Sequence, residues 1–311
     1  MKKFLVTGGA GFIGSNIVNR LIDQGASVLV IDNESSDAHE EFFWNHSATN
    51  HKLDISDYDK TRALYEGIDY VIHTAAEARI QPAIINPLLA VKSNVLGTAT
   101  VLQCSREAKV KRVIYSSSSS GYGKNPTPNS EDQADDCLNP YSVSKIAGEK
   151  LCAMYSSLYN LETVVFRYFN VYGKNQPLKG VYAPVVGIFL KQFLNGTPLT
   201  IVGDGTKKRD FTNVEDVVTA NLLACSSSLN DYDFGSVINI GTGTNYSISE
   251  IAKIISQNTT NIPDRIGEAK ETLAVIEKAK RTLGWEPTKR LDEYLKEELN
   301  TMNLAVKTNR H

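Results

Sequence analysis

Short apolar runs alternate along this chain with stretches whose apolar positions recur every three to four residues. Phe4–Val6 is followed by a helical period that puts Ile17, Val18, Leu21 and Ile22 on one face. Val28–Asp32 is the next apolar run, then Asp69–Ala76, then a long amphipathic stretch from about Pro87 to Lys109. Arg112–Ser117, a helical pattern from Tyr141 to about Leu158, and the run Thr163–Gly173 continue the alternation. Near-continuous apolar strands between helices are the pattern of a parallel sheet covered on both faces, so the sequence predicts a doubly wound α/β fold. After Gly173 the pattern changes. Residues 174–211 are rich in Gly, Pro and Lys around one apolar stretch, Val185–Leu194. A helical segment, Val214–Ala224, and a strand, Val237–Gly241, then restore the earlier pattern, and the last seventy residues mix helices with loops. The expected organisation is two lobes, with the chain crossing between them more than once and no internal repeat.

Composition narrows this picture. With 311 residues, the chain can build one large domain or two smaller ones around a substantial core. Its 41% hydrophobic and 22% charged residues fit a soluble globular protein. A net charge of −2 offers no basic field for nucleic acid or an anionic membrane, and the Lys-rich stretch Glu277–Arg281 reads as a solvated helix face. The apolar start breaks at Thr7-Gly8-Gly9, too early for a signal peptide, and no run approaches the roughly 18 apolar residues of a membrane span. Cys104, Cys137, Cys152 and Cys225 form no C-x-x-C pair, which points to a reducing, cytoplasmic setting.

Three stretches carry chemistry. In TGGAGFIGS, residues 7–15, Gly8, Gly11 and Gly14 follow a strand and open a helix. Glycine there gives a tight turn and lets backbone approach a pyrophosphate, which the helix N-terminus then faces with N–H groups and partial positive charge. Asp32 closes the next strand. A carboxylate at that position accepts hydrogen bonds from the adenosine ribose hydroxyls and repels a 2′-phosphate, which favours NAD over NADP. Tyr141 and Lys145 lie four residues apart at the start of a helical pattern, on one face. A free phenol, with a pKa of about 10, is a poor base at neutral pH; a nearby ammonium and the positive nicotinamide ring both favour the phenolate. Finally, Ser116–Ser120 are five consecutive serines. Such a tract is usually a linker, but this one follows the apolar run Arg112–Tyr115 and therefore reads as the carboxyl end of a central strand, where α/β ligand sites lie.

The spacing Gly-x-x-Gly-x-x-Gly within TGGAGFIG, together with YSVSK at Tyr141–Lys145, resembles the extended branch of the short-chain dehydrogenase/reductase superfamily, the NAD-dependent epimerases and dehydratases of nucleotide sugars. The resemblance covers nearly the whole chain, and its closest likeness is to UDP-glucose and UDP-N-acetylglucosamine 4-epimerases. It implies a Rossmann-type NAD-binding domain at 1–172 and 212–241 and a nucleotide-sugar-binding lobe at 173–211 and 242–311. It implies NAD as cofactor, with Phe12, Ile13 and Asn33 joining the glycines and Asp32 around it, Asp54 and Ile55 at the adenine, Thr74, Ala75 and Ala76 beside the nicotinamide ribose, Asn94 in a structural role, and Ser116 and Tyr168 near the nicotinamide. Tyr141 is the implied acid/base and Lys145 its electrostatic partner and ribose ligand. Ser118, four residues before Tyr122 of the Tyr-Gly ending, is the implied catalytic hydroxyl.

Ser119 and Ser120 stand where the related 4,6-dehydratases carry an acidic pair, so dehydration is disfavoured and oxidation followed by re-reduction at one carbon, as in 4-epimerases, is expected. Asn170, Tyr182, Arg209, Arg265 and Glu268 are implied substrate contacts, the two arginines for the diphosphate. Glu268 replaces the more usual Asp. Thr272 resembles the residue that gates the sugar pocket; being small, it admits N-acetylated sugars, and Tyr182–Val186 resembles epimerases that accept them. The alternatives are a UDP-glucuronate decarboxylase, for which Arg79 is the nearest candidate cation, a 4-keto-sugar reductase, and a non-catalytic NAD-binding protein. His73, inside an apolar run, reads as structural. The resemblance also implies a homodimer through helices at about 93–109 and 141–159, with Leu102, Met154 and Leu158 as candidate contacts.

Overall fold

The computed structural model describes residues 2–178, 183–230 and 233–308; Tyr182 lies outside them. In chain order the first part contains β1 (Lys3–Thr7), α1 (Phe12–Asp23), β2 (Ser27–Asp32), β3 (Thr49–Lys52), the short α2 (Tyr58–Thr61), β4 (Tyr70–His73), α3 (Ile80–Ile85), α4 (Pro87–Ala90), α5 (Gly97–Glu107), β5 (Arg112–Ser118), α6 (Pro140–Tyr159) and β6 (Glu162–Tyr168). The second part adds β7 (Val171–Tyr172), α7 (Val185–Leu194), β8 (Leu199–Val202), β9 (Lys208–Asp210), β10 (Thr212–Asn213), α8 (Val214–Ser226), β11 (Val237–Ile240), β12 (Asn245–Ser247), α9 (Ile248–Ile255), β13 (Thr259–Ile262), α10 (Glu277–Leu283) and α11 (Leu291–Thr308).

Seven strands form one sheet in the order β3-β2-β1-β4-β5-β6-β11, every neighbour pair parallel. The two-residue period of a strand distributes its side chains to opposite faces. Phe4 and Val6 of β1 enter a cluster with Ile17, Val18 and Leu21 of α1 and Val217 and Val218 of α8. Leu5, between them, enters the opposite cluster with Val101 and Leu102 of α5 and Cys152 and Tyr155 of α6. Both faces are thus buried, as the unbroken apolar runs require. A third cluster joins Tyr172, Val186, Phe189, Leu199, Ile201, Ile251, Leu291 and Leu295, from β7, α7, β8, α9 and α11, and is accompanied by three two-stranded ladders, β7–β10, β8–β13 and β9–β12.

The structure departs from the sequence reading at four points. Strand β3 has no apolar run: it is the polar edge segment TNHK, paired to β2 through backbone alone. The run Thr163–Gly173 is divided, because β6 ends at Tyr168 and Val171–Tyr172 leave the sheet to pair with β10. The amphipathic stretch 87–109 is broken by a π-helical segment, Val91–Leu96, between α4 and α5. Leu102, expected at a subunit contact, is fully buried in the core, whereas Met154 and Leu158 are 37% and 62% exposed. Among the described residues no helix is long and apolar enough to cross a membrane, and all four cysteines are free.

Candidate active site

A cleft of about 520 Å³ opens at the carboxyl ends of β1, β2, β4, β5 and β6 and is closed on its far side by residues of α7, β8, β9 and the 265–272 loop. It lies where the strand order reverses on either side of β1, the switch point at which open α/β sheets bind ligands. Its dinucleotide end is built by the glycines. Gly8 has φ +69°, and a Cβ there would stand 2.7 Å from the Ala75 nitrogen; a Cβ on Gly14 would stand 2.1 Å from the Gly8 oxygen. The turn is therefore too tight for any side chain. Gly11 caps α1 without a side-chain hydrogen bond, and the first turn of α1 holds no acid, so the helix end presents backbone to the cleft as a phosphate site does. Asp32 accepts hydrogen bonds from the Ala10 and Glu34 N–H groups at 3.1 and 2.8 Å, and burial pushes its carboxyl above the ordinary range. These residues fit NAD. Gly14→Ala is expected to cut NAD retention by roughly 10–100-fold, since overpacking costs about 1–3 kcal/mol. Nucleotide released by acid from equal amounts of purified protein would measure it.

Phe12, Ile13, Asn33, Asp54, Ile55, Thr74, Ala75 and Ala76 line the same end. The Asp54 carboxylate is held by the Ser56 N–H and hydroxyl and by Lys92. Sequence reasoning missed His39 and Phe42, which also line this end, their ring centroids 5.5 Å apart and their planes tilted by 45°; they sit in an irregular stretch without periodicity.

The central part is set by the junction of β5 and α6. β5 ends at Ser118, whose side chain accepts from the Ser120 N–H at 3.2 Å and starts a 3₁₀ turn over Ser119–Tyr122. Asn139 caps α6, its side chain accepting from the Ser142 N–H at 2.8 Å, with Pro140 at the first position; asparagine then proline is a strong helix start. Tyr141 is thereby fixed in the first turn and lines the cleft together with Ser118. Burial raises its pKa, the nearby Ser118 hydroxyl opposes this, and the charge of Glu77 adds to the rise. Ser119 and Ser120 line the cleft beside them, and the Ser120 hydroxyl is buried without a hydrogen-bond partner. No carboxylate stands at 119 or 120.

Lys145, Ser116 and Asn94 are one layer behind rather than on the cleft wall. The Lys145 ammonium lies 5.0 Å over the Tyr115 ring. Burial lowers its pKa to about 8, against the opposing charge of Glu149, so the cation persists through neutral pH. Ser116 donates to the Tyr168 hydroxyl at 3.2 Å, which itself accepts from Asn221 at 2.8 Å. Asn94 grips Glu77, accepting from its N–H at 2.8 Å and donating to its carbonyl at 3.0 Å, and also donates to the Ser144 hydroxyl at 2.8 Å. His73 is buried between the Thr7 and Thr98 hydroxyls at 2.7 and 3.0 Å, and burial with the Lys145 charge lowers its pKa to about 3. It is a neutral structural residue.

On the far wall Asn170 donates to the Asp210 carbonyl at 2.9 Å and to Thr272 Oγ1 at 3.4 Å. Thr272 is small, buried and on the cleft surface. Arg209 donates to the carbonyls of Lys208, Ala269 and Lys270, which aim its guanidinium into the cleft, and Arg265 lines the same region. Glu268 lies 3.7 Å from Arg209 and 3.6 Å from Lys207, so it balances cations. Lys207, which sequence reasoning passed over, joins this wall.

Residues 4–241 match the model of the NAD dependent epimerase/dehydratase family. The chain is 35% identical to a putative UDP-glucose 4-epimerase of Methanocaldococcus jannaschii, over 96% of this chain and 97% of that one. Its fold matches the crystal structure of UDP-glucose 4-epimerase from Thermotoga maritima with UDP-glucose, at a TM-score of 0.90 and 35% identity, covering 98% and 99% of the two chains. It also matches UDP-N-acetylglucosamine 4-epimerase from Methanobrevibacter ruminantium in complex with UDP-N-acetylmuramic acid, at a TM-score of 0.88 and 32% identity, covering 99% of each chain.

Proposed function

The chain belongs to the NAD-dependent epimerase/dehydratase family, and from that premise we propose that it is an NAD-dependent 4-epimerase of UDP-hexoses, including UDP-N-acetylhexosamines. The observation that carries this reading is the Ser118–Tyr141 pair facing the cleft with hydroxyls alone at positions 119 and 120. Tyr141 takes the proton of the C4 hydroxyl and Ser118 holds that oxygen. NAD, when bound, supplies the hydride acceptor at C4 and returns the hydride. The resulting 4-keto sugar turns about its diphosphate link, so that its other face meets the site and C4 is inverted. Arg209 and Arg265 keep the diphosphate in place, and Tyr141 gives the proton back. With no carboxylate at 119 or 120, loss of water has no acid or base there to drive it. Lys145, charged below about pH 8, is assigned to the ribose and to the charge balance behind Tyr141.

The first 172 residues with 212–241 are the NAD-binding domain in this reading, and 173–211 with 242–311 the nucleotide-sugar lobe. The enzyme is assigned to the cytoplasm as a homodimer, paired through exposed apolar residues of α6 and the helices beside it: Val143, Met154, Leu158 and Tyr159, with Leu88, Leu89 and Leu96.

The test is an NMR assay of purified protein with UDP-GlcNAc and, separately, UDP-Glc, without added NAD. Formation of the C4 epimer supports epimerisation on retained cofactor; no turnover of either sugar after NAD is supplied overturns the reading. In the same assay Thr272→Tyr is expected to lower kcat/KM for UDP-GlcNAc relative to UDP-Glc by on the order of 10²-fold, because the ring would occupy the space of the acetamido group.

A further inference from the structure

We propose that Glu77 confines this enzyme to uncharged sugars and excludes UDP-uronates, by holding a carboxylate at one side of the reacting sugar ring. This rests on the 4-epimerase reading above and adds the charge of the sugar to it.

Glu77 follows β4 and lines the cleft. Its backbone is clamped at both its N–H and its carbonyl by Asn94, which the π-helical turn presents and which is tied in turn to Ser144 of α6. The carboxylate cannot drift far from that anchor, and its side chain is only 13% exposed. Oε1 is buried and accepts no hydrogen bond. Arg79 Nε stands 3.6 Å away, an ion pair beyond hydrogen-bond reach. The Ser120 hydroxyl, which lines the same cleft, is in the same unpartnered state. Ser144, which Asn94 holds, donates to the Tyr141 carbonyl at 2.8 Å, so Glu77 and Tyr141 share one support, and the two unpaired polar atoms on the cleft that Tyr141 lines mark the place of the sugar ring. Leaving a buried acceptor unpaired is costly, and a sugar hydroxyl completes it.

A carboxylate on the sugar does the opposite. Tyr141 fixes where C4 sits, and the C6 group is on the adjacent ring carbon. Turning the sugar about its diphosphate link exchanges the two sides of the ring, so C6 occupies each side once per inversion. A charged C6 group therefore meets Glu77 in one of the two poses, and turnover needs both. Arg79 does not offer a seat for it: the guanidinium is already shared between Glu77 and Asp37, two carboxylates against one cation. Two like charges about 5 Å apart near a protein surface disfavour each other by on the order of 10²-fold in binding.

The experiment compares UDP-Glc with UDP-glucuronate in wild type, Glu77→Gln and Arg79→Met, each checked for retained NAD. Wild type is expected to favour UDP-Glc in kcat/KM by on the order of 10²-fold. Glu77→Gln should shrink that ratio at least about tenfold, and Arg79→Met, which removes the compensating cation, should widen it. A merely structural role would move both substrates together. Comparable turnover of UDP-glucuronate by wild type, or a ratio unchanged in Glu77→Gln, overturns the proposal. Should wild type turn over neither sugar, the epimerase reading fails by itself, and the dissociation constants of the same two nucleotide sugars, measured by calorimetry in the same proteins, decide the role of Glu77 by the same ratios.

Discussion

Tyr141→Phe is expected to lower kcat for the UDP-hexose by about 10²–10⁴-fold, the range of a lost general acid/base, while NAD content and folding stay as they are. The change removes a single oxygen. The ring keeps its place because the start of α6 is fixed by Asn139, Pro140 and Ser142 and not by the phenol. Ser118 keeps the hydrogen bond that it accepts from the Ser120 N–H. Initial rates from the NMR assay, with bound NAD measured on the same preparation, give the result. A variant that keeps activity within about tenfold would show that another group moves the C4 proton.

Glu149→Leu is expected to destabilise the protein by about 3–5 kcal/mol, the cost of leaving a buried charge without its partner. Arg167 donates to Glu149 from Nε at 2.8 Å and from Nη2 at 2.7 Å, and both side chains are 3% exposed. Asp135 holds Nη2 at 2.6 Å, and the Ser117 hydroxyl also donates to Glu149. Without Glu149 the guanidinium keeps Asp135 and the Tyr122 ring, whose centroid is 4.5 Å away, and Ser117 loses its acceptor. Urea unfolding of wild type, Glu149→Leu and Glu149→Gln measures the loss, with Gln expected in between. A loss below about 1 kcal/mol would mean that Asp135 and the Tyr122 ring suffice. Glu149 is also the largest support of the Lys145 cation against burial, so the variant should lose that cation at a pH below about 8.

The parts of this site legible in the sequence are those whose chemistry depends on local spacing. Three glycines at a strand-to-helix turn, an acid at the next strand end, and tyrosine and lysine one helical turn apart each state a geometry by themselves. The parts that were not legible depend on neighbours remote in sequence. Glu77 looks like an ordinary loop acid until Asn94, seventeen residues on, clamps it. Arg167, inside an apolar strand, gives no sign of Glu149 and Asp135, because ion pairs across elements leave no periodicity. Strand β3 was invisible because an edge strand needs only backbone to pair. Leu102 could not be assigned to core or subunit contact from its helix alone, since an apolar helix face can serve either. Lys145 was expected on the Tyr141 face of its helix, and its burial behind the cleft wall is a property of packing that spacing does not express.

The order of the sheet also bears on how the chain is made. β6 ends at Tyr168, and its outer neighbour β11 does not begin until Val237. Between them lie β7, α7, β8, β9, β10 and α8. At about 5–20 residues per second on the ribosome, the outer edge of β6 waits on the order of ten seconds for its partner. That edge carries Val164, Val165 and Phe166, all fully buried in the finished protein. During synthesis it is an unpaired, β-branched, apolar strand, the kind of segment that recruits other nascent chains. The long excursion between β6 and β11 therefore places a burden on chaperones that a sheet completed strand by strand would not.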